Sequence, residues 1–196
     1  MTSKVGIYTP LGLDGYELCH PVGEGGYESV NVEVNGTSRL TNWEPIAVEL
    51  IHENAGKKLV RSDSPWLGEH ALIFRAHVVD ELGAMLRNNG ELLALACAEA
   101  DLVIYNATRM VDALDEAAST IRRFSGGRIM WIQRPVFHAE AIAQLDVFKI
   151  PNLRVSPTFL SHRFVDRWKA SGLKGLDFQQ VWPRQAAFGA KPLVEH

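Results

Sequence analysis

The chain has 196 residues, 46% hydrophobic and 22% charged, the size and make-up of one globular domain that buries roughly 70% of its unfolded surface. Two cysteines, Cys19 and Cys97, without CxxC spacing, exclude a disulfide framework and read as small apolar residues in a reducing compartment. A net charge of −3 argues against general binding to nucleic acid or anionic membranes, and no apolar run reaches the ~18 residues of a spanning helix. Met1-Thr2-Ser3-Lys4 leads into no signal-type stretch, so the expected location is the cytoplasm.

The first forty residues are rich in glycine, notably Gly23-Glu24-Gly25-Gly26, and Ser29–Val34 alternates polar and apolar as a half-buried strand would. Asn35-Gly36 then supplies a turn. A second strand is expected over Ile46–Ile51, followed by a loop at Gly56-Lys57-Lys58 and another over Ser62–Trp66. Ala71–Phe74 should be extended and lead into the clearest helix of the chain. There Val78, Val79, Leu82, Met85 and Leu86 make one apolar stripe, and Asn88-Asn89-Gly90 is the stop signal.

Leu92–Ala96 and Leu102–Tyr105 read as central strands, and Arg128–Gln133 as a strand continuing their sheet. Val147–Ile150 is a short strand closed by Pro151. From Thr158 onward Leu160, Phe164, Val165 and Trp168 recur at helical spacing until Ser171-Gly172, and Gly175–Val181 returns as a strand. The expected fold is therefore α+β in a single domain over 1–196, a mainly antiparallel or mixed sheet carrying two principal amphipathic helices. Residues 183–196, with two prolines, form a tail.

Searches for catalytic chemistry return little. Seven histidines include no HExxH arrangement, and His70 and His77, two helical turns apart, are too distant to share an ion, so no metal site is expected. No GxSxG elbow occurs, and Cys19 and His20, adjacent on a strand, would face opposite ways. The glycine cluster lacks both phosphate-loop patterns and reads as a flexible hairpin loop, so no cofactor is expected. Asp112, Asp115 and Glu116 are the best acid/base candidates, since Asp112 and Glu116 would share a helix face; an acidic first turn favoured by the helix dipole is the simpler reading.

Two segments resemble a known family. Tyr105-Asn106-Ala107-Thr108-Arg109-Met110-Val111-Asp112-Ala113-Leu114-Asp115, with Ser119 beyond it, resembles the middle motif of the immunity protein 11 family, encoded beside polymorphic toxins in bacteria. Val155-Ser156 through Arg163-Phe164, then Ala170-Ser171-Gly172-Leu173-Lys174-Gly175-Leu176-Asp177-Phe178, is similar to its closing helix, GLxGLxF turn and final strand. The resemblance spans roughly 60–182 and leaves a β-rich N-terminal part, 1–60, unassigned. It implies an immunity protein that binds and neutralises a cognate toxin or effector, encoded by an adjacent gene, with no catalytic residue.

Charge suggests how such a partner would be held. Residues 1–121 hold 8 Lys+Arg against 18 Asp+Glu, while 122–196 hold 12 against 5. The halves either neutralise each other across one folded surface or leave an acidic face for a basic partner. Trp66, beside Ser64-Pro65 in a loop, could anchor that partner with Glu69, Asp112, Asp115 and Glu116 around it. The rival functions are a small hydrolase using Asp112, Asp115 and His138 to reverse a toxin's modification, and a small-molecule-binding accessory domain.

Overall fold

A strand with apolar residues at both odd and even positions must be covered on both faces, and several strands of this chain are of that kind. The computed structural model describes residues 6–151, 153 and 157–183. Its first half runs β1 (Ile7–Gly12), β2 (Leu18–Pro21), α1 (Gly26–Glu33), β3 (Val48–Ile51), β4 (Glu53–Asn54), β5 (Lys57–Lys58), β6 (Leu72–Arg75), α2 (Ala76–Arg87), β7 (Glu91–Ala94) and β8 (Leu102–Asn106). Then follow β9 (Thr120–Arg123), β10 (Ile129–Arg134), α3 (Ala139–Ile142), β11 (Val147–Phe148), β12 (Phe159–Ser161), α4 (His162–Ala170) and β13 (Leu176–Trp182).

Two antiparallel sheets make the frame, one ordered β6-β8-β7 and one ordered β11-β12-β1-β13. The fold is thus α+β, as its sequence pattern indicates. Leu72 and Phe74 of β6 and Tyr105 of β8 point to a core shared with Val78, Leu82 and Leu86 of α2 and Phe164 and Trp168 of α4. The alternate residues Ile73 and Ile104 point the other way, into a second core with Cys19, Val30, Val34, Val48 and Leu50. The four-stranded sheet repeats the arrangement. Val147 and Leu160 meet the helices, while Ile7, Phe148 and Phe159 face a third core with Ile129, Phe137 and Ile142. The chain is therefore layered, with α2 and α4 held between two sheets, each covered again on its far side.

The turn at 172–175 shows local chemistry serving this frame. α4 is capped at its start by Ser161, whose Oγ accepts a hydrogen bond from Phe164 N at 3.2 Å, and it ends at Ser171 and Gly172, φ +68°. Gly175 combines φ +102° with a position at which a Cβ would fall on Ser62 Oγ, so no other residue fits there.

Several expectations are corrected. Residues 29–33 lie in helix α1, which begins at the glycine cluster read as a loop, and Val34 is its C-cap. Val30 and Val34, four apart, are buried, but Val32 is 52% exposed, whereas a strand would have put all three on one face. Lys57-Lys58 form β5 of a tight hairpin, not a loop. Arg128–Gln133 does not continue the β6-β8-β7 sheet: β10 pairs with β9, a strand the pattern did not reveal. Leu160 belongs to β12, and the last helix starts at 162; Leu160 shares a core with Phe164 from a neighbouring element, which imitates helical spacing. The strands β1 and β2 were hidden among glycines and prolines. The 112–116 segment is no helix: Asp115 N donates to Val136 O at 2.9 Å and His138 N to Ala113 O at 2.8 Å. Residues 184–196 of the expected tail, and Val155-Ser156, lie outside the described residues.

Candidate functional site

The residues expected at a partner surface occupy different environments. The 62–66 loop is itself buried, with Ser62, Ser64 and Pro65 inside. Trp66 is half-buried, its N–H donates to Glu17 O at 3.1 Å, its carbonyl accepts from Cys19 N at 3.0 Å, and its side chain packs against the helix core. Its ring also lies on Gly12, where a Cβ would sit 2.5 Å from Trp66 Cγ. Trp66→Ala should therefore lower the stability of the free chain by about 2 kcal/mol or more, read by urea unfolding. Unchanged unfolding with weakened partner binding would instead place the indole at an interface.

Asp112 and Glu116 are exposed, and Asp115 is half-buried. The Asp115 carboxylate accepts from Ala118 N at 3.0 Å, and Glu116 pairs with Arg123 at 2.5 Å. These contacts anchor the turn that leads into β9. His138 is exposed at the start of α3, and His77 bonds Asp63 Oδ1 at 2.8 Å from α2, while His70 precedes β6 on a different element. Among the described residues no three His, Cys, Asp or Glu side chains converge on a metal-sized site. Burial pushes the Cys19 thiol up to about 12, which keeps it protonated. No helix among the described residues is long and apolar enough to cross a membrane.

Glu69 is half-buried and stands beside an unusual group. Lys149 is fully buried, because its backbone is held between Arg109 O and Val111 N, each at 2.9 Å, and its Nζ donates to His70 O at 3.2 Å. Burial pulls its ammonium down to about 8, opposed by the Glu69 carboxylate. The His70 ring is pulled down to about 4 by burial and by Lys149, and its Nε2 has no hydrogen-bond partner among the described residues. Lys149 titrates lower in the folded chain than its ordinary 10.5, so the unfolded chain binds more protons between the two values and stability rises with pH across that window. Relative to Lys149→Met, the wild-type chain should gain up to about 3 kcal/mol between pH 8 and 10.5, read by urea unfolding at each pH. Parallel profiles for the two chains would contradict this.

Two concave surfaces stand out among the described residues. One, of about 700 Å³, lies between α1 and residues 42–46 and is edged by Glu24, Glu28, Glu33 and Glu44. The other, of about 490 Å³, runs between β10 and the four-stranded sheet. Its floor includes Thr9, Phe159 and Gln179, one wall is Met130–Pro135, and Glu69 and Pro157 stand opposite. Of the residues expected at the interface, Glu69 alone lines this groove. The exposed Trp131 and Arg134 at its rim escaped the sequence reading, although four arginines and a tryptophan within 122–134 were the available signal.

Among the described residues the acidic first part is linked to the basic last part by ion pairs of Glu81 with Arg167 at 3.0 Å and of Glu116 with Arg123. Other acids, Glu17 and Glu33, pair with Arg75 and Arg39 within the first part. The pairs within the first part leave its excess of acids unchanged, so most of that excess is not answered by these ion pairs.

Residues 99–182 match the model of an immunity protein family, Imm11. The resemblance read from the two motifs is borne out over that segment, which starts later than the residue 60 expected, and the match supports an immunity-protein role. None of the curated proteins matches the chain. The matched segment carries β8 to β13, hence the 105–115 motif, the β9–β10 hairpin and one wall of the smaller groove; Trp66 and Glu69 precede it.

Proposed function

From the Imm11 match over residues 99–182 we propose that this chain is an immunity protein that binds a cognate bacterial toxin or effector and neutralises it by stoichiometric protein–protein inhibition, catalysing no reaction itself. That match is the observation that carries the reading. The partner is a protein encoded by an adjacent gene of a polymorphic toxin system, and the complex forms in the bacterial cytoplasm. Residues 1–196 act as one domain, a view supported by β1, which lies between β12 and β13. Tight inhibition asks for a preformed surface with a few anchors and complementary charge. The groove beside β10 is such a surface, and Glu69 contributes to it; Asp112, Asp115 and Glu116 flank the approach to its hairpin, and Trp66 supports the loop that leads to Glu69.

The test is co-expression with the product of the neighbouring gene. Growth should be rescued, the two proteins should co-purify at one to one, and rescue should scale with the amount of this chain. The Asp112→Asn/Asp115→Asn variant separates inhibition from hydrolysis. A binder weakened at these positions recovers when overproduced, whereas loss of rescue at every level would favour an enzyme. A neighbouring product that is harmless, or that never co-purifies, would remove the toxin-binding reading.

A further inference from the structure

Helix α1 has two faces of different kinds. Val30 and the C-cap Val34 carry it onto the second core, while Glu28, Ser29 and Val32, on the opposite side at helical spacing, form one wall of the larger groove. A helix face turned to water holds polar residues, yet Val32 is 52% exposed there. The other wall, residues 42–46, brings Trp43 and Ile46, half-buried side chains that pack against the second core and also line the groove. Val22, again 52% exposed, and Pro45 extend this apolar lining. An apolar patch set in a polar rim is the make-up of a protein contact surface.

Charge is one-sided within the lining itself. Glu24, Glu28, Glu33 and Glu44 stand against a single base, Arg39. Arg39 is engaged inside the chain: its Nε lies 3.1 Å from Glu33 Oε2, and its Nη2 donates to Val32 O at 3.0 Å. Glu24, Glu28 and Glu44 are exposed, and their side chains form no hydrogen bond or ion pair among the described residues. The groove thus gathers part of the acidic excess that ion pairs leave unanswered.

We propose that the groove between α1 and residues 42–46 docks a basic segment of a partner protein, whose Lys or Arg side chains meet Glu24, Glu28 and Glu44 while an apolar side chain covers Val32 and Trp43. The lining selects this occupant by charge complementarity. Nucleic acid and anionic lipid are repelled by carboxylates whose one neighbouring base is already engaged. No metal-sized convergence of His, Cys, Asp or Glu occurs among the described residues. A small polycation answers the carboxylates but leaves the apolar lining in water. A second copy docking its basic hairpin makes a head-to-tail contact, which runs on from copy to copy unless it closes into a ring. The groove precedes residues 99–182, so the proposal goes beyond the toxin-binding reading and defines the partner by its chemistry alone.

The probe is a fluorescein-labelled peptide of alternating Lys and Leu, titrated with the full chain by fluorescence anisotropy. It should bind, weaken as salt rises, and lose about tenfold or more in affinity with Glu24→Gln/Glu28→Gln/Glu44→Gln. Asp80→Asn/Glu140→Gln/Asp166→Asn removes the same charge from exposed positions on α2, α3 and α4 and should change affinity less than about twofold. Val32→Ser should weaken binding about fivefold or more at unchanged melting temperature, a second measure should the groove triple variant fold poorly. Equal losses in the two triple variants, equal binding of a Glu-Leu or a Lys-Ser peptide, full displacement of the probe by equimolar spermine, or self-association lost in the groove variant would each overturn the proposal. A neighbouring-gene product that fails to co-purify counts against the toxin-binding reading alone, whereas an unbound Lys-Leu peptide counts against the groove alone.

Discussion

Glu17→Leu should destabilise the chain by about 3 to 5 kcal/mol, because it strands a buried guanidinium. The Glu17 and Arg75 side chains are 7% and 9% exposed, and Arg75 Nη2 lies 2.7 Å from Glu17 Oε2. The same carboxylate oxygen accepts from Ser62 N at 3.0 Å, and Arg75 Nε donates to Ser62 O at 2.8 Å, so the pair also fixes the 62–66 loop against β6. Removing Glu17 leaves the Arg75 guanidinium charged and dehydrated, with its Nε bond to Ser62 O but no carboxylate at Nη2. Replacing both, as Glu17→Leu/Arg75→Met, should cost less than either single change, since no buried charge remains. Urea unfolding of the three variants at pH 7 measures this. A single-variant loss below about 1 kcal/mol, the size of a surface pair, would mean that water reaches the site.

Leu82→Ala is expected to cost about 2 to 5 kcal/mol. Leu82 is 1% exposed in the core that α2 shares with α4 and with both sheets, where close packing gives a cavity little freedom to collapse. On the same helix Asp80 is exposed, and Asp80→Ala should stay within about 0.5 kcal/mol of the parent. Thermal and urea unfolding of the pair read the difference, and an unshifted Leu82→Ala would contradict the placement of α2 between the sheets.

The sequence by itself determined the elements whose periodicity is local. The Val78–Leu86 stripe forms α2, the 71–74 and 102–105 runs form β6 and β8, and the two glycines of the Gly-Leu-Lys-Gly-Leu turn end α4 and open β13. The motif at 105–115 and the closing segment also identified the family to which residues 99–182 correspond. Where tertiary contacts override spacing, the pattern misled. Val30 and Val34 are buried by β2 and β3 from elsewhere in the chain, which selects a helix for a run that alternates like a strand, and Leu160 imitates a helical position because its sheet and α4 share one core. The Asp112–Glu116 spacing suggested one helix face, but backbone bonds to 136–138 draw the segment out.

The groove was beyond the sequence for a further reason. Its floor joins Thr9, Phe159 and Gln179, whose proximity exists only because β1 pairs with β12 and β13. The arginines of 122–134 could be counted in the sequence, but only the β9–β10 pairing gathers them on one hairpin beside an open strand edge. Local propensity acts over one turn or a few residues, whereas a binding surface is set by which distant strands exchange hydrogen bonds and which edges they leave uncovered.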